Sequence, residues 1–157
     1  MDNKRIDERE SIYTRWTWKL MIDSHTHSKY SKHAVGEIEE VVISAIKNNV
    51  KILTITDHAP FLIDVDNRLL MNELESYFND IECVQNKYRH EIKILKGIEA
   101  DYIPQHHKYT ENLTSSLDLD FVIGSIHSIF LKKERINVWD IKKLNNKIIF
   151  EFNNYNE

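Results

Sequence analysis

Lys51-Ile52-Leu53-Thr54-Ile55-Thr56-Asp57-His58-Ala59-Pro60 decides how this chain is read. Lys51 to Thr56 is a run of strand length, rich in β-branched side chains. Pro60 cannot donate to a β-ladder, so the strand must stop before it. Asp57 and His58 therefore stand at a strand end. The same arrangement recurs on both sides. Lys19-Leu20-Met21-Ile22-Asp23 leads into Ser24-His25-Thr26-His27. Ile92 to Ile98 leads into Glu99-Ala100-Asp101, and Asp120-Phe121-Val122-Ile123-Gly124 leads into Ser125-Ile126-His127.

Helical patterns separate these runs. Ile38, Val41, Val42, Ala45 and Ile46 recur at the spacing of one helix face, which predicts a helix over Glu37 to Asn49. Leu70, Leu74, Tyr77, Phe78, Ile81, Val84 and Tyr88 predict a longer one from Leu69 to Tyr88, and a third is expected from about Gln105 to Ser116. Alternating strands and helices indicate an α/β fold with about four βα units and a parallel sheet. Such sheets assemble their sites at the carboxyl ends of the strands. Residues 1–19 are polar and patternless, and are expected to be a poorly ordered extension before a domain over residues 20–157. Ile148-Ile149-Phe150-Glu151-Phe152 reads equally as strand or as the start of a helix.

Composition narrows the class. The chain has 157 residues, 41% of them apolar, with three glycines and two prolines, which suits one globular domain and excludes collagen-like or low-complexity chains. One cysteine, Cys83, excludes an internal disulfide framework and leads us to expect a cytoplasmic protein. No apolar run approaches the roughly 20 residues of a membrane span. A net charge of −4 without a basic stripe argues against a nucleic-acid partner.

The strand ends carry the chemistry. His25, His27, His58, Glu99 and His127 lie at or beside them, and His33 follows in Tyr30-Ser31-Lys32-His33. Imidazole and carboxylate are the usual protein ligands of zinc, iron and manganese. Singly, each residue has an ordinary alternative: a turn or loop histidine, a hydrogen-bonded core histidine, or a salt-bridged glutamate. Four strand ends out of four with a ligand type is what composition does not explain. Asp23, Asp57 and Asp101 are expected to orient ligands rather than bind metal, since carboxylates commonly accept the free ring N–H of a ligating histidine. Arg68, Arg89 and Arg135 are candidates for phosphate contacts. Cys83 reads as a packing residue, His90 as a charge partner at a helix C-terminus, and His106 and His107 as surface residues.

Asp23-Ser24-His25-Thr26-His27-Ser28, Thr56-Asp57-His58 and Gly97-Ile98-Glu99 resemble the first three motifs of the PHP (polymerase and histidinol phosphatase) superfamily. The longer strings Thr56-Asp57-His58-Ala59-Pro60-Phe61, Gly97-Ile98-Glu99-Ala100-Asp101-Tyr102-Ile103-Pro104 and Phe121-Val122-Ile123-Gly124-Ser125-Ile126-His127 resemble its histidinol-phosphatase branch. The resemblance runs from about Met21 to Phe130. It implies a distorted (βα)7 barrel holding up to three divalent ions (Zn, Mn or Fe). In that pattern His25 and His27 hold one ion, Glu99 bridges it to a second that His127 also binds, and His33 and His58 hold a third. A metal-bound hydroxide would attack a small phosphorylated substrate, L-histidinol phosphate in histidine biosynthesis. Catalytic groups beyond the ligands are not implied.

The sequence also departs from that pattern. The family expects further histidine and aspartate ligands after the fourth strand, yet no histidine follows His127. A complete barrel typically needs about 250 residues. We therefore expect a partial barrel from a truncated chain, with weak metal binding, little phosphatase activity and self-association through open edges. A PHP phosphoesterase with another substrate, or an inactive interaction module, are the alternatives.

Overall fold

The computed structural model describes residues 20–131 and 134–140. Its frame is four strands, β1 (Met21–Thr26), β2 (Val50–Ile55), β3 (Lys93–Asp101) and β4 (Phe121–Ser125). They pair in the order β1-β2-β3-β4, all parallel. Each strand lies beside its successor, the winding of one half of a βα barrel rather than of a doubly wound sheet. Three helices make the crossovers: α1 (Ile38–Lys47), α2 (Leu74–Lys87) and α3 (His107–Ser116). After β4 the chain forms an antiparallel hairpin, β5 (Ser128–Leu131) and β6 (Glu134–Asn137). The extension expected over residues 1–19, and the ambiguous Ile148–Phe152, lie outside the described residues.

Local chemistry explains the element boundaries. Gly36, with φ of 98°, occupies a conformation that L side chains rarely adopt, and leads into α1. There the Glu37 N–H donates to the Glu40 carboxylate at 2.8 Å, supplying one partner that the first helical turn lacks. Asn49, with φ of 60°, turns the chain from α1 into β2, a left-handed position asparagine tolerates. The second helix begins at Leu74, five residues later than its periodicity predicts. Arg68 is extended and the Leu69 N–H donates to the His58 carbonyl, so this stretch is tied to the loop after β2 and cannot join the helix.

Leu74, Tyr77, Ile81 and Val84 are the buried stripe of α2, and they pack with Ile38 and Val42 of α1 against Leu53, Ile55, Ile94 and Ile98 of the sheet. Full burial of such side chains contributes roughly 1.5–3 kcal/mol each. Gly97 allows the centre of the sheet to close. A Cβ there would sit 3.0 Å from the carbonyls of Ile55 and Phe121, on the two neighbouring strands. Cys83 is exposed on α2 rather than packed.

Candidate metal centre

Two extensions of the sheet bring the strand ends together. Beyond β2 the chain keeps pairing with β3: the Glu99 N–H donates to the Asp57 carbonyl at 3.0 Å and the Ala59 N–H to the Glu99 carbonyl at 2.8 Å. That sets His58 beside Glu99. On the other side β3 continues to Asp101 because β4 pairs with it through Asp101 and Ser125. Glu99 and Asp101 thus lie two residues apart in one strand and share a face.

Glu99 is the hub. It is 2% exposed, and three imidazole nitrogens approach its Oε2: His25 Nε2 at 3.1 Å, His27 Nε2 at 3.2 Å and His58 Nδ1 at 3.1 Å. His127 Nε2 lies 3.2 Å from its Oε1. His25 Nε2 and His27 Nε2 are only 2.9 Å apart. His33 joins through ring contacts with His27 and His58, at centroid distances of 5.2 and 5.0 Å. Among the described residues, three groups of donors converge closely enough to hold an ion: His25, His27 and Glu99; His58, Glu99 and His127; and His27, His33 and His58.

The far side of each ring shows which nitrogen is free. The Ser31 hydroxyl donates to Asp57 Oδ1 at 2.6 Å, so at 2.8 Å it accepts from His27 Nδ1–H. His33 Nδ1–H donates to the Ser31 carbonyl at 2.9 Å, and His127 Nδ1–H to Asp101 Oδ1 at 2.5 Å. With Nδ1 carrying the proton, a neutral ring presents a bare Nε2 lone pair. For His27 and His127 that lone pair meets a carboxylate oxygen of Glu99. Lone pair against anion is repulsive, so either a second ring proton or a cation must lie between them. His58 Nδ1 is buried 3.1 Å from Glu99 Oε2, yet among the described residues it has no well-aligned hydrogen-bond partner. The donor set therefore fits divalent cations, with each group of three protein donors leaving a position open.

Burial pushes Glu99 upward, but the imidazoles of His127, His27 and His58 and the Ser125 hydroxyl prevail and hold it far below the usual carboxylate range. Its bonds to Asp101 and then Glu99 push His127 up to about 9, against burial. Burial pulls His58 down, which favours the neutral ring that a metal requires. Burial acts upward on Asp101 too, but His127 and Arg68 outweigh it and lower its value.

The three aspartates occupy different places. Asp101 touches the His127 ring directly. Asp57 is fully buried and reaches His27 only through Ser31; its own oxygens accept from the N–H and hydroxyl of both Ser28 and Ser31. Asp23 accepts weakly from the His25 backbone, 3.4 Å away, and faces α1 rather than a ring. Of the three candidate arginines, only Arg68 reaches the centre. It helps line a cavity of about 270 Å³ beside the cluster, with His33, His58, Asp64, Asn67, His127 and Trp139. Arg89 lies against His90, and Arg135 donates to Asn137. His106 packs edge-on to Phe61 and His107 bonds the Pro104 carbonyl, both outside the donor groups. Ser31, Tyr77 and Trp139 escape the sequence reading as site residues. A serine four residues after His27 is the one local cue, and it gains meaning only once Asp57 is seen beneath it.

A parallel βα half-barrel with histidines and a buried glutamate at its strand ends defines a metal-binding α/β domain. The PHP domain family model matches residues 23–154, and the chain belongs to that family. A Deinococcus radiodurans protein named "Probable histidinol-phosphatase" is 32% identical over 109 residues, covering 68% of this chain and 42% of that protein. A Vibrio parahaemolyticus "Probable phosphatase" is 32% identical over 108 residues, covering 69% of this chain and 40% of that protein. The crystal structure of a histidinol phosphate phosphatase from Lactococcus lactis, complexed with Zn, L-histidinol and phosphate, superposes with a TM-score of 0.63 at 26% identity. That match covers 72% of this chain and 41% of the solved one. The chain spans about two fifths of the length of the relatives it matches. Among the described residues no helix is long and apolar enough to cross a membrane.

Proposed function

We propose that this domain belongs to a divalent-metal-dependent phosphomonoesterase whose substrate is L-histidinol phosphate. One observation carries the metal chemistry: His27, His33 and His127 each commit Nδ1–H to an acceptor outside the cluster, which leaves Nε2 for a cation. In this reading His25, His27, His33, His58, Glu99 and His127 hold up to three ions, zinc, manganese or iron. Such ions supply Lewis-acid stabilisation of phosphoryl oxygens and lower the pKa of bound water toward 7.

The chain's own residues do the positioning. Glu99 belongs to two of the donor groups and keeps them side by side. Ser31 and Asp101 hold ring orientation on opposite flanks. The cavity beside the cluster gives a phosphate ester room to enter, with the Trp139 ring on one wall for an organic group and Asp64 on another for a positive one. The substrate assignment draws on the Lactococcus lactis complex with L-histidinol and phosphate. A second reading, a different phosphomonoester, draws on the relatives named only as phosphatases.

Phosphate release by the purified, metal-loaded chain tests both, with L-histidinol phosphate set against 4-nitrophenyl phosphate. A preference of at least about tenfold for histidinol phosphate, or about 1.4 kcal/mol, supports the first reading. Equal rates favour the second. Failure to bind any divalent metal at saturating concentration would overturn both and leave a non-catalytic module.

A further inference from the structure

Arg68 is buried more deeply than a substrate-binding arginine needs to be. It is 3% exposed, although its neighbours line the cavity. Its donors already have acceptors within the chain. Nε donates to the Asp64 carbonyl at 3.0 Å, Nη1 to the Ala59 carbonyl at 3.2 Å and Nη2 to Asp101 Oδ2 at 2.8 Å. The Phe61 ring lies 5.8 Å from its central carbon. The guanidinium thus ties the loop after β2 to the end of β3.

Asp101 passes that restraint on. It is 5% exposed, and its two oxygens have separate partners: Oδ2 takes Arg68, and Oδ1 takes His127 Nδ1–H. Without Arg68, Oδ2 would be a buried acceptor without its charged donor, and the carboxylate would turn to find another. Oδ1 would then leave the His127 ring.

We propose that Arg68 is a positioning residue for His127: by holding one oxygen of Asp101 it keeps the other on His127 Nδ1–H, so that Nε2 stays aimed at Glu99. The proposal rests on the metal reading above, but it also makes a claim about the metal-free chain. Freed from Asp101, a neutral imidazole favours the proton on Nε2, the nitrogen that a metal needs bare.

Two measurements on the full chain test it. Long-range ¹H–¹⁵N NMR of the metal-free protein, in alkaline buffer where the rings are neutral, reports which nitrogen of each histidine carries the proton. Cobalt(II) titration, followed by the visible d–d bands, reports metal affinity. In Arg68→Gln, His127 should move from the Nδ1–H to the Nε2–H form while His27, held by Ser31, keeps its own form. Cobalt affinity should fall about tenfold, the usual loss when an outer partner of a ligand is removed. Arg68→Lys keeps a cation for Asp101 and should restore the His127 form and most of the metal affinity.

An unchanged His127 in Arg68→Gln overturns the proposal, as does equal disturbance of His27 and His127, which would mean general collapse. Loss of turnover with tautomer and metal affinity intact would make Arg68 a phosphate contact instead. If Arg68→Gln does not fold, Arg68→Lys decides alone: a wild-type His127 pattern supports the proposal and a shifted one overturns it. Should the wild-type chain bind no cobalt, the metal reading fails, yet the tautomer comparison still settles the role of Arg68.

Discussion

The two flanks of the histidine cluster solve one problem with different chemistry. On the β1–β2 flank, His27 is oriented by a hydroxyl: Ser31 accepts its N–H and passes a hydrogen bond to the buried Asp57. On the β3–β4 flank, His127 is oriented by a carboxylate, Asp101, which is itself held by Arg68. The difference lies in what else each carboxylate does. Asp57 gathers four donors from Ser28 and Ser31 and so builds the loop that carries His27 and His33. Asp101 lies in a strand that the sheet already holds, and is free to face the ring. A carboxylate that builds a loop, as Asp57 does, is needed for folding, whereas one already fixed in a strand, as Asp101 is, is needed for aim.

That contrast can be broken at several points. The largest effect is expected at the shared hub. Glu99→Gln should lower metal affinity by more than the 10–100-fold typical of an outer partner, because two donor groups lose their common anion. Metal content after gel filtration checks this, and a variant that retains full metal would remove Glu99 from the hub.

Asp57→Ala should destabilise the fold by about 3 kcal/mol or more, since it leaves several buried donors without their acceptor. Asp101→Ala should cost less stability and more metal affinity. Urea unfolding alongside cobalt titration measures both, and the reverse ranking would refute the distinction between anchor and aim.

Ser31→Ala should weaken metal binding about tenfold through His27 while leaving the His127 ring as it is. Competition with a chromophoric chelator, paired with NMR of the two rings, separates the flanks. An equal effect on both would mean that they are one network.

Tyr77→Phe is the smallest change. The Tyr77 hydroxyl donates to the Gly97 carbonyl at 2.7 Å and accepts from the Asp57 N–H at 3.2 Å, stitching β3 to the end of β2 beneath the cluster. Burial drives its pKa well above 10, so it stays a donor across the usable pH range. Its loss should cost about 1–1.5 kcal/mol, read by urea unfolding, with little change in metal affinity.

Much of this was legible in the chain. Strand runs that end in Asp57-His58, Glu99 and His127, separated by amphipathic stretches, announce a parallel βα sheet with ligands at its carboxyl ends. The errors came where a distant partner overrides a local pattern. Leu69 continues the helical periodicity of α2, yet its N–H is claimed by His58. Cys83 falls within a helix that reads as amphipathic, but lies off the buried stripe of Leu74, Tyr77, Ile81 and Val84.

The sequence by itself determined the ligand types, their spacing along the chain and the alternation that sends every strand end to one edge of the sheet. These follow from side-chain chemistry and from periodicities of 2.0 and 3.6 residues, which are local properties. Only the tertiary structure decided which nitrogen of each ring faces inward, which of the three candidate arginines reaches the centre, and that Ser31 stands between Asp57 and His27. Those facts depend on hydrogen bonds that cross the fold, from Ser31 to Asp57 and from Asp101 to Arg68 and His127. Their partners are set by the register of neighbouring strands and the path of the connecting loops, and no single segment of the chain encodes either.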